Sequence, residues 1–170
     1  NQEKVILEGN QNGQRNDYVH DSFTEEALSF VEENRNEPFF LYLPYTIPHL
    51  ELAVPEDSLN EYKGQFPEIP YTDDHYADQT HPRAAYAAMI ARMDRDIGKI
   101  MDLLDTHGLT EDTLIFFTSD NGPNDRDGVT AEFFNNNGPF RGYKGELYEG
   151  GIRVPMVAKW PGKIPEGVVN

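Results

Sequence analysis

Two adjacent oxygen-bearing side chains make the segment LIFFTSDNGP a place where chemistry is possible. Asp120 and Asn121 follow directly after the apolar run at 114–117, where a buried strand would end. A carboxylate and an amide oxygen side by side are suitable ligands for a hard cation such as Ca²⁺. The same letters, Asp-Asn-Gly-Pro, are also a strong turn signal in any protein. The residues alone therefore leave two interpretations open, a cation site and a solvated turn.

The elements that position this segment are predicted to form an α/β fold. A helix is predicted over Ser22–Asn34, because SFTE matches a capping box in which Ser22 caps the helix and Glu25 reaches back. A strand is predicted over Phe39–Leu43, since its nearly continuous hydrophobicity is typical of a parallel sheet buried on both faces. Residues 44–82 carry six of the twelve prolines and little periodicity, so we expect an ordered covering loop there.

The clearest element is a long helix in RAAYAAMIARMDRDIGKIMDLLDTHG. Apolar residues recur there every three or four positions and predict a core-facing stripe, which consists of Tyr86, Ile90, Met93, Ile97, Ile100 and Leu104. Gly108 is the expected C′ residue, where the helix ends. The acids Asp94 and Asp96 are expected to face solvent or to cap neighbouring elements.

Two strands are predicted after this helix, over TLIFFTS and VPMVAKW. The order of strand, helix and strand predicts a right-handed βαβ unit, and hence a mainly parallel sheet flanked by helices. Ligands gather at the carboxyl ends of the strands in such sheets. PYTIPH and DNGP both follow those ends, so the predicted fold favours a functional role for both segments.

The composition argues against several classes of function. The 170 residues carry 30 acidic and 14 basic side chains, and the formal charge of −16 disfavours nucleic-acid binding, which needs a basic face. A small anionic substrate is compatible with this charge, since exposed charges more than about 8 Å away are largely screened at physiological salt. The sequence has no cysteines, and therefore no disulfides, thiolate metal sites or cysteine nucleophile. It has no apolar run of the length that spans a membrane.

Four segments together resemble the formylglycine-dependent sulfatases of the alkaline-phosphatase-like superfamily. They are FFLYLPYTIPH, AAMIARMDRDIGKIMDLLD, FFTSDNGP and GPFRGYKGELYEGGIRVP, and the likeness runs from Tyr18 to Ile164. The resemblance implies an alkaline-phosphatase-like catalytic domain that hydrolyses sulfate esters of aryl compounds or carbohydrates. It also implies that Asp120 and Asn121 are two of the ligands of an active-site divalent cation, which is calcium in most members.

The resemblance assigns two further side chains to the reaction. Lys144, in RGYKGELYEGG, matches the family lysine that contacts the sulfate group, where a fixed ammonium would stabilise charge developing on the sulfate oxygens. His49, in PYTIPHLEL, matches the family histidine that binds sulfate and helps the alcohol to leave, and imidazole is suited to donate that proton near neutral pH. Members commonly carry a proline two positions after this histidine, where this chain has Glu51. The alternatives are a surface lysine on a glycine-rich loop and a loop histidine packed for structure.

Residues around Lys144 are expected to shape its loop. Glycines at positions 142, 145, 150 and 151 would let the backbone approach an anion closely. Glu149 and Arg153 are predicted to support this loop through a salt bridge or backbone contacts.

The resemblance also requires parts that this sequence does not contain. The family nucleophile is a formylglycine made from Cys or Ser in a C/S-x-P-x-R sequence, and no residue here begins that pattern. We therefore expect residues 1–170 to be a single piece from the middle of a catalytic domain, with the upstream nucleophile and metal segment and the downstream part missing. The chain alone is expected to be inactive. The resemblance favours a periplasmic or secreted location.

Two rival functions remain at this point. A phosphodiesterase or phosphomutase of the same superfamily would use two transition metals with His and Asp ligands, whereas this sequence has no clustered histidines. A non-catalytic homologue would keep the fold and lack the nucleophile. The expected partner is a small-molecule or carbohydrate sulfate ester, with no nucleic acid and no membrane.

Overall fold

The structure of the chain, a computed structural model, describes residues 4–72, 75–126 and 128–169. Helices dominate it, and a single two-stranded sheet accompanies them in this described part. The regular elements, apart from 3₁₀ turns at Glu8–Gly13 and Thr110–Asp112, are α1 (Val19–Asn34), α2 (Glu56–Tyr62), α3 (Pro82–Thr106), β1 (Ile115–Thr118), α4 (Ala131–Phe134), α5 (Glu149–Ile152) and β2 (Met156–Lys159). Within the described ranges, no helix is both long and apolar enough to cross a bilayer.

The first helix begins three residues earlier than the capping-box pattern predicts. Helix α1 starts at Val19 and Tyr18 precedes it, so Ser22 lies inside the helix and the predicted cap is wrong. Burial explains the earlier start. His20, which is only 1% exposed, begins a stripe against α3 that continues along one face of α1. The remaining buried members of this stripe are Thr24, Ala27 and Val31.

Helix α3 confirms the predicted long helix and its end, and it confirms the predicted stripe in part. Leu104 is buried, and Tyr86 and Met93 pack against the core cluster. Gly108 lies just beyond the helix with φ +67°, the left-handed conformation expected at C′. Ile90, which was predicted to face the core, is 39% exposed. The buried face instead contains Met89, Arg92 and Asp96. Polar partners on neighbouring helices make this face possible, because buried charges need hydrogen bonds or opposite charges.

Asp96 is buried, and the expectation that it faces solvent is therefore wrong. Its Oδ2 lies 3.1 Å from Nε2 of His20, and Lys99 Nζ lies 2.8 Å from Oδ1. Burial alone would raise the pKa of Asp96, but hydrogen bonds and charges from Arg95 and Lys99 outweigh it and lower the pKa to about 2. Burial also keeps the pKa of His20 below its usual value, more strongly than the neighbouring carboxylate raises it. The pair thus joins α1 to α3 as a neutral imidazole beside an ionised carboxylate.

Arg92 connects three helices. Its guanidinium donates to both carboxylate oxygens of Asp21 on α1, at 2.7 Å and 2.5 Å. It also donates to Ser58 Oγ at 2.6 Å and reaches Asp57 Oδ1 at 3.1 Å, both on α2. Hydrogen bonds to Asp21 hold the pKa of Arg92 above its ordinary value. The helical scaffold is therefore tied together by polar contacts as well as by apolar packing.

The sheet is antiparallel, so the predicted mainly parallel arrangement is wrong for these strands. Strand β1 confirms the strand predicted in TLIFFTS, and β2 confirms the one predicted in VPMVAKW. They pair from Ile115 opposite Lys159 to Thr118 opposite Met156. The described residues between them form glycine-rich turns and the short helices α4 and α5. This connection brings β2 back against β1 in the opposite direction.

The strand predicted over Phe39–Leu43 does not form. A strand requires a neighbour with which to exchange hydrogen bonds, and within the described residues this segment pairs with none. Burial nevertheless alternates along it, as in a strand, with Phe40 86% and Tyr42 76% exposed. The sequence pattern thus correctly indicates a segment whose side chains alternate in burial. What this segment lacks, within the described residues, is a neighbouring strand with which to pair.

The segment 44–82 is folded onto the helices and contains α2, which the predicted covering loop did not include. Residues 73 and 74 of that prediction lie outside the described residues. A core cluster at the centre of the molecule includes Ile47 from this segment, Met89 of α3 and Val129 from the loop after β1. The segment that carries His49 and the segment that follows DNGP therefore pack on one common core.

Candidate functional site

The turn after β1 leaves oxygen atoms of Asp120 and Asn121 available. Ser119 Oγ donates to the Asn121 carbonyl at 2.9 Å, and Asn121 Nδ2 donates to the Gly122 carbonyl at 2.9 Å. This second bond uses the amide nitrogen and leaves Oδ1 of Asn121 free to accept or to ligate. The Asp120 side chain is exposed, and it has no hydrogen bond or ion pair with any other described residue. Hydrogen bonds within the turn thus hold it in place, while the Asp120 carboxylate and Oδ1 of Asn121 remain available as metal ligands.

Gly122 fixes this turn against the glycine-rich loop. Its amide donates to the Gly151 carbonyl at 2.9 Å. A Cβ at position 122 would lie 1.9 Å from the Gly150 carbonyl oxygen, well inside any real contact. Glycine is therefore required here because two stretches of backbone meet with no room for a side chain.

Lys144 lies on the other side of the same contact. Its amide donates to the Pro123 carbonyl at 2.9 Å, so the predicted sulfate-contacting residue is hydrogen-bonded to the turn that carries the predicted metal ligands. The loop also folds back on itself, because the Gly150 amide donates to the Arg141 carbonyl at 2.8 Å. A Cβ at Gly150 would lie 2.0 Å from the Gly142 carbonyl oxygen. At this position glycine serves packing within the loop, a reason that differs from the predicted approach of backbone to an anion.

The cations around Lys144 already have partners. The guanidinium of Arg153 forms an ion pair with Glu149, which confirms the predicted support of the loop. The guanidinium of Arg141 lies 3.7 Å above the ring of Tyr148. Lys144 is half-buried, and across the described ranges its ammonium has neither a carboxylate nor a hydrogen-bond acceptor. A partly desolvated cation without a counter-charge is suited to bind an anion.

His49 lies in a separate loop, which the core holds in place. Its amide donates to the Thr46 carbonyl at 3.0 Å, and Ile47 between them belongs to the core cluster. The imidazole is exposed, and its Nδ1 contacts the Leu50 carbonyl. Glu51 forms an ion pair with Arg15. In the part of the chain that the structure covers, no hydrogen bond links the imidazole to Lys144 or to the turn at 119–122.

A network that the sequence analysis missed supports the loop of His49. Tyr45 Oη is hydrogen-bonded to Thr24 Oγ1 at 2.7 Å, and its ring centroid lies 4.3 Å from that of His20. The start of this loop is thus anchored on α1, beside the buried contact of His20 with Asp96. No sequence pattern marks this network, because its members are scattered over three elements.

The residues present fit part of a cation site. In residues 4–72, 75–126 and 128–169, no three His, Cys, Asp or Glu side chains lie together in a group that could hold a metal ion. Asp120 and Asn121 offer two hard oxygens, the type of donor that calcium prefers. Calcium takes about six to eight oxygen ligands, so the remaining ones would have to come from elsewhere.

A polar cavity of about 420 Å³ lies beside the Lys144 loop. The sequence analysis did not identify it, although the run of three asparagines at 135–137 was a visible sign of a polar surface. Lys144 directly follows one of the lining residues. The polar side chains that line the cavity are Asp125, Thr130, Glu132, Asn135, Asn137 and Tyr143.

A family model and the curated relatives of this chain all point to the same protein family. The family model described as Sulfatase matches residues 3–170. An arylsulfatase of Hemicentrotus pulcherrimus is 32% identical over 151 residues, which are 87% of this chain and 23% of the relative. An N-acetylgalactosamine-6-O-sulfatase of Bacteroides thetaiotaomicron is 33% identical over 159 residues, covering 86% of this chain and 26% of that protein. The chain therefore spans about a quarter of the length of these curated relatives.

A solved structure matches the fold over most of the chain. It is the crystal structure of Ps i-CgsB in complex with k-i-k-neocarrahexaose, with a TM-score of 0.67 and 30% sequence identity. The match covers 92% of this chain and 32% of that one. The predicted α/β class is confirmed, as that of a partial alkaline-phosphatase-like domain.

Proposed function

Because this chain belongs to the sulfatase family, we propose that it is the central part of a sulfatase catalytic domain that hydrolyses sulfate esters. The parent protein in this proposal is the longer polypeptide that contains residues 1–170. Its reaction is cleavage of a sulfate ester into an alcohol and inorganic sulfate. Lys144, His49, Asp120 and Asn121 are the residues of this chain to which we assign roles.

The observation that supports the proposal most strongly is the environment of Lys144. Its ammonium is half-buried without a carboxylate partner, and its backbone is hydrogen-bonded to the turn that carries Asp120. A sulfate ester resists attack because its negative oxygens repel a nucleophile. A preorganised ammonium beside those oxygens stabilises the charge that develops on them in the transition state. This single arrangement therefore serves both binding and catalysis.

The other residues take roles around the same anion. Asp120 and Asn121 would hold a divalent cation, in our proposal calcium, which supplies further positive charge to the sulfate oxygens when bound. His49 donates a proton to the alcohol oxygen as the ester bond breaks, so that the alcohol leaves neutral. A formylglycine outside these 170 residues would supply the nucleophile. Our proposal places the parent protein in the periplasm or outside the cell, as the family resemblance favours.

We propose a carbohydrate sulfate as the substrate class. One relative is named for N-acetylgalactosamine 6-O-sulfate, and the solved neighbour was crystallised with neocarrahexaose. These names describe those proteins, and they support a sugar ester for this chain, whereas the arylsulfatase relative makes a simple aryl sulfate the alternative. A polar cavity beside Lys144 supports the same choice.

The test is sulfate release by the purified parent protein. We expect turnover of 4-nitrophenyl sulfate and of a galactose 6-sulfate ester, loss of turnover on chelation, and recovery with calcium. Element analysis should find one calcium per chain. Preferential hydrolysis of 4-nitrophenyl phosphate, together with paired zinc or manganese, would overturn the proposal in favour of a phosphate-ester enzyme.

A further inference from the structure

We propose that the cavity beside Lys144 binds an unsulfated sugar unit next to the sulfated one. This inference rests on the proposed function, since it takes the sulfate to lie at Lys144. It adds what the proposed function leaves open: the charge and chemistry of the neighbouring unit of the substrate. We call this cavity the side cavity; its polar lining consists of Asp125, Thr130, Glu132, Asn135, Asn137 and Tyr143.

The side cavity lies beside the backbone of Lys144. Tyr143 lines it and immediately precedes Lys144, whose amide is bonded to the Pro123 carbonyl. Asp125 lines it as well and follows Pro123 by two residues, a span of at most about 7 Å. Both backbone segments that meet at Lys144 therefore continue into the lining, and our proposal takes the next unit of a ligand bound at the Lys144 ammonium to enter the side cavity.

Part of the lining of the side cavity is already held in place. Asp125 Oδ1 accepts from the Ala131 amide at 2.9 Å. The negative charge of Asp125 also acts on Tyr143 across the side cavity, where it raises the pKa of the Tyr143 hydroxyl. Asn137 Nδ2 donates to the Phe140 carbonyl at 2.9 Å. A rigid polar wall loses little conformational entropy when a ligand binds.

Other lining groups of the side cavity remain available to a ligand. Glu132 and Asn135 are exposed, and in the described part of the chain neither side chain has a hydrogen-bond partner. A carboxylate accepts from hydroxyl groups, and an amide both donates and accepts. This combination suits the hydroxyls of a sugar ring, each of which can donate one hydrogen bond and accept others.

Charge determines which sugar the side cavity accepts. Its lining contains two carboxylates, Asp125 and Glu132, and no lysine, arginine or histidine. A second sulfate in the side cavity would face like charges at short distance, where water screens them least. The side cavity therefore selects an unsulfated neighbour, whereas Lys144 selects the sulfated unit.

The experiment uses the parent protein and four probes. They are 4-nitrophenyl sulfate, a galactose disaccharide with one 6-sulfate, the same disaccharide with a second sulfate on the neighbouring unit, and the unsulfated disaccharide. Asn135→Gly and Glu132→Gln are the test variants. Glycine is used at position 135 because Asn135 has a φ of +52°, which glycine adopts without strain and alanine does not. Asn136→Ala is the matched control, since Asn136 is adjacent and of the same type but does not line the side cavity.

We expect the wild type to prefer the monosulfated over the disulfated disaccharide by at least about tenfold in kcat/KM. Asn135→Gly should raise KM for the monosulfated disaccharide by about three- to tenfold, the effect of one lost neutral hydrogen bond. It should leave kcat, and both constants for 4-nitrophenyl sulfate, unchanged. Glu132→Gln should reduce the discrimination against the second sulfate, and Asn136→Ala should match the wild type.

Unchanged KM for the disaccharide in Asn135→Gly, or a preference of the wild type for the disulfated probe, would overturn the side-cavity proposal. Binding of the unsulfated disaccharide, followed by NMR, separates this outcome from failure of the proposed function. If Asn135→Gly weakens that binding while the wild type hydrolyses no sulfate ester, the proposed function fails and the sugar site stands. If the aryl sulfate is hydrolysed and no variant changes saccharide binding or KM, the proposed function stands and the side-cavity proposal fails.

Discussion

Gly122→Ala is the substitution for which the structure makes the sharpest prediction. Its new methyl group would lie 1.9 Å from the Gly150 carbonyl oxygen, whereas real contacts of Cβ atoms essentially never fall under 3.0 Å. The turn and the glycine-rich loop must therefore separate by about 1.1 Å. Both sides of the contact are backbone, so no side chain can rotate to make room. The bond between the Gly122 amide and the Gly151 carbonyl would be strained or lost.

The expected magnitude follows from these two effects. Forcing a methyl group into a packed contact costs about 1–3 kcal/mol, and one backbone hydrogen bond contributes about 1 kcal/mol. The free energy of opening this contact should therefore fall by about 2–4 kcal/mol, which corresponds to roughly 30- to 700-fold faster amide exchange. The contact joins the turn that carries Asp120 to the loop that carries Lys144. If both residues act in the proposed site, a displacement of about 1 Å should also lower kcat/KM by about 10²-fold.

Hydrogen–deuterium exchange of the parent protein measures the first effect, and hydrolysis of 4-nitrophenyl sulfate measures the second. Gly98→Ala is the matched control. Gly98 lies inside α3 with nothing within 4 Å of a new Cβ, so alanine there should stabilise the helix by about 0.5–1 kcal/mol. Unchanged exchange at 120–124 and unchanged activity in Gly122→Ala would refute the idea that this backbone contact aligns the site.

The remaining predictions concern charge, pH and completeness. Lys144→Ala in the parent protein should lower kcat/KM for a sulfate ester by about 10²–10³-fold, whereas Lys63→Ala, at the exposed end of α2, should change it less than twofold; equal effects would remove Lys144 from the site. Burial lowers the pKa of His20 in the folded chain, so below about pH 6.5 the unfolded chain binds a proton at this imidazole more readily than the folded chain does. Proton binding then favours unfolding, and the stability to urea should fall from pH 7 to 5. His20→Gln should make this fall smaller, and an identical slope would contradict the assignment. The purified 170-residue chain should hydrolyse no aryl sulfate, because it lacks the formylglycine sequence; measurable turnover would show that another nucleophile acts.

The sequence predicted the elements whose cause is local and failed where the cause is a distant partner. Helix α3, its end at Gly108 and both strands follow from periodicity and turn residues within a few positions. The start of α1 does not, because His20 and its neighbours on that helix are buried by α3. Asp96 was misplaced for the same reason: its partner is 76 residues away in the chain. The segment 39–43 shows the converse, a strand pattern without a neighbouring strand in the described residues.

The candidate site was predictable in its segments and not in their contacts. Asp120, Asn121 and Lys144 were identified from motifs, and the structure joins their segments through the Pro123 carbonyl. The reason for Gly122 was not visible in the sequence, because the backbone that it contacts lies 28 residues further along. Likewise, the side cavity depends on how the loop at 125–143 folds. The chemical roles of these residues remain predictions.

The most direct measurement of the central claim is a double-mutant cycle between Asp120→Asn and Lys144→Ala in the parent protein, with kcat/KM for 4-nitrophenyl sulfate as the readout. If both side chains act on one sulfate group, their effects should not be independent. The kcat/KM of the double variant should then be at least about fivefold higher than the value expected from multiplying the two single effects. This factor corresponds to a coupling of about 1 kcal/mol or more. If the loss of kcat/KM in the double variant equals the product of the two single losses to within about twofold, the account is contradicted. The two side chains would then act independently, as residues of separate sites do.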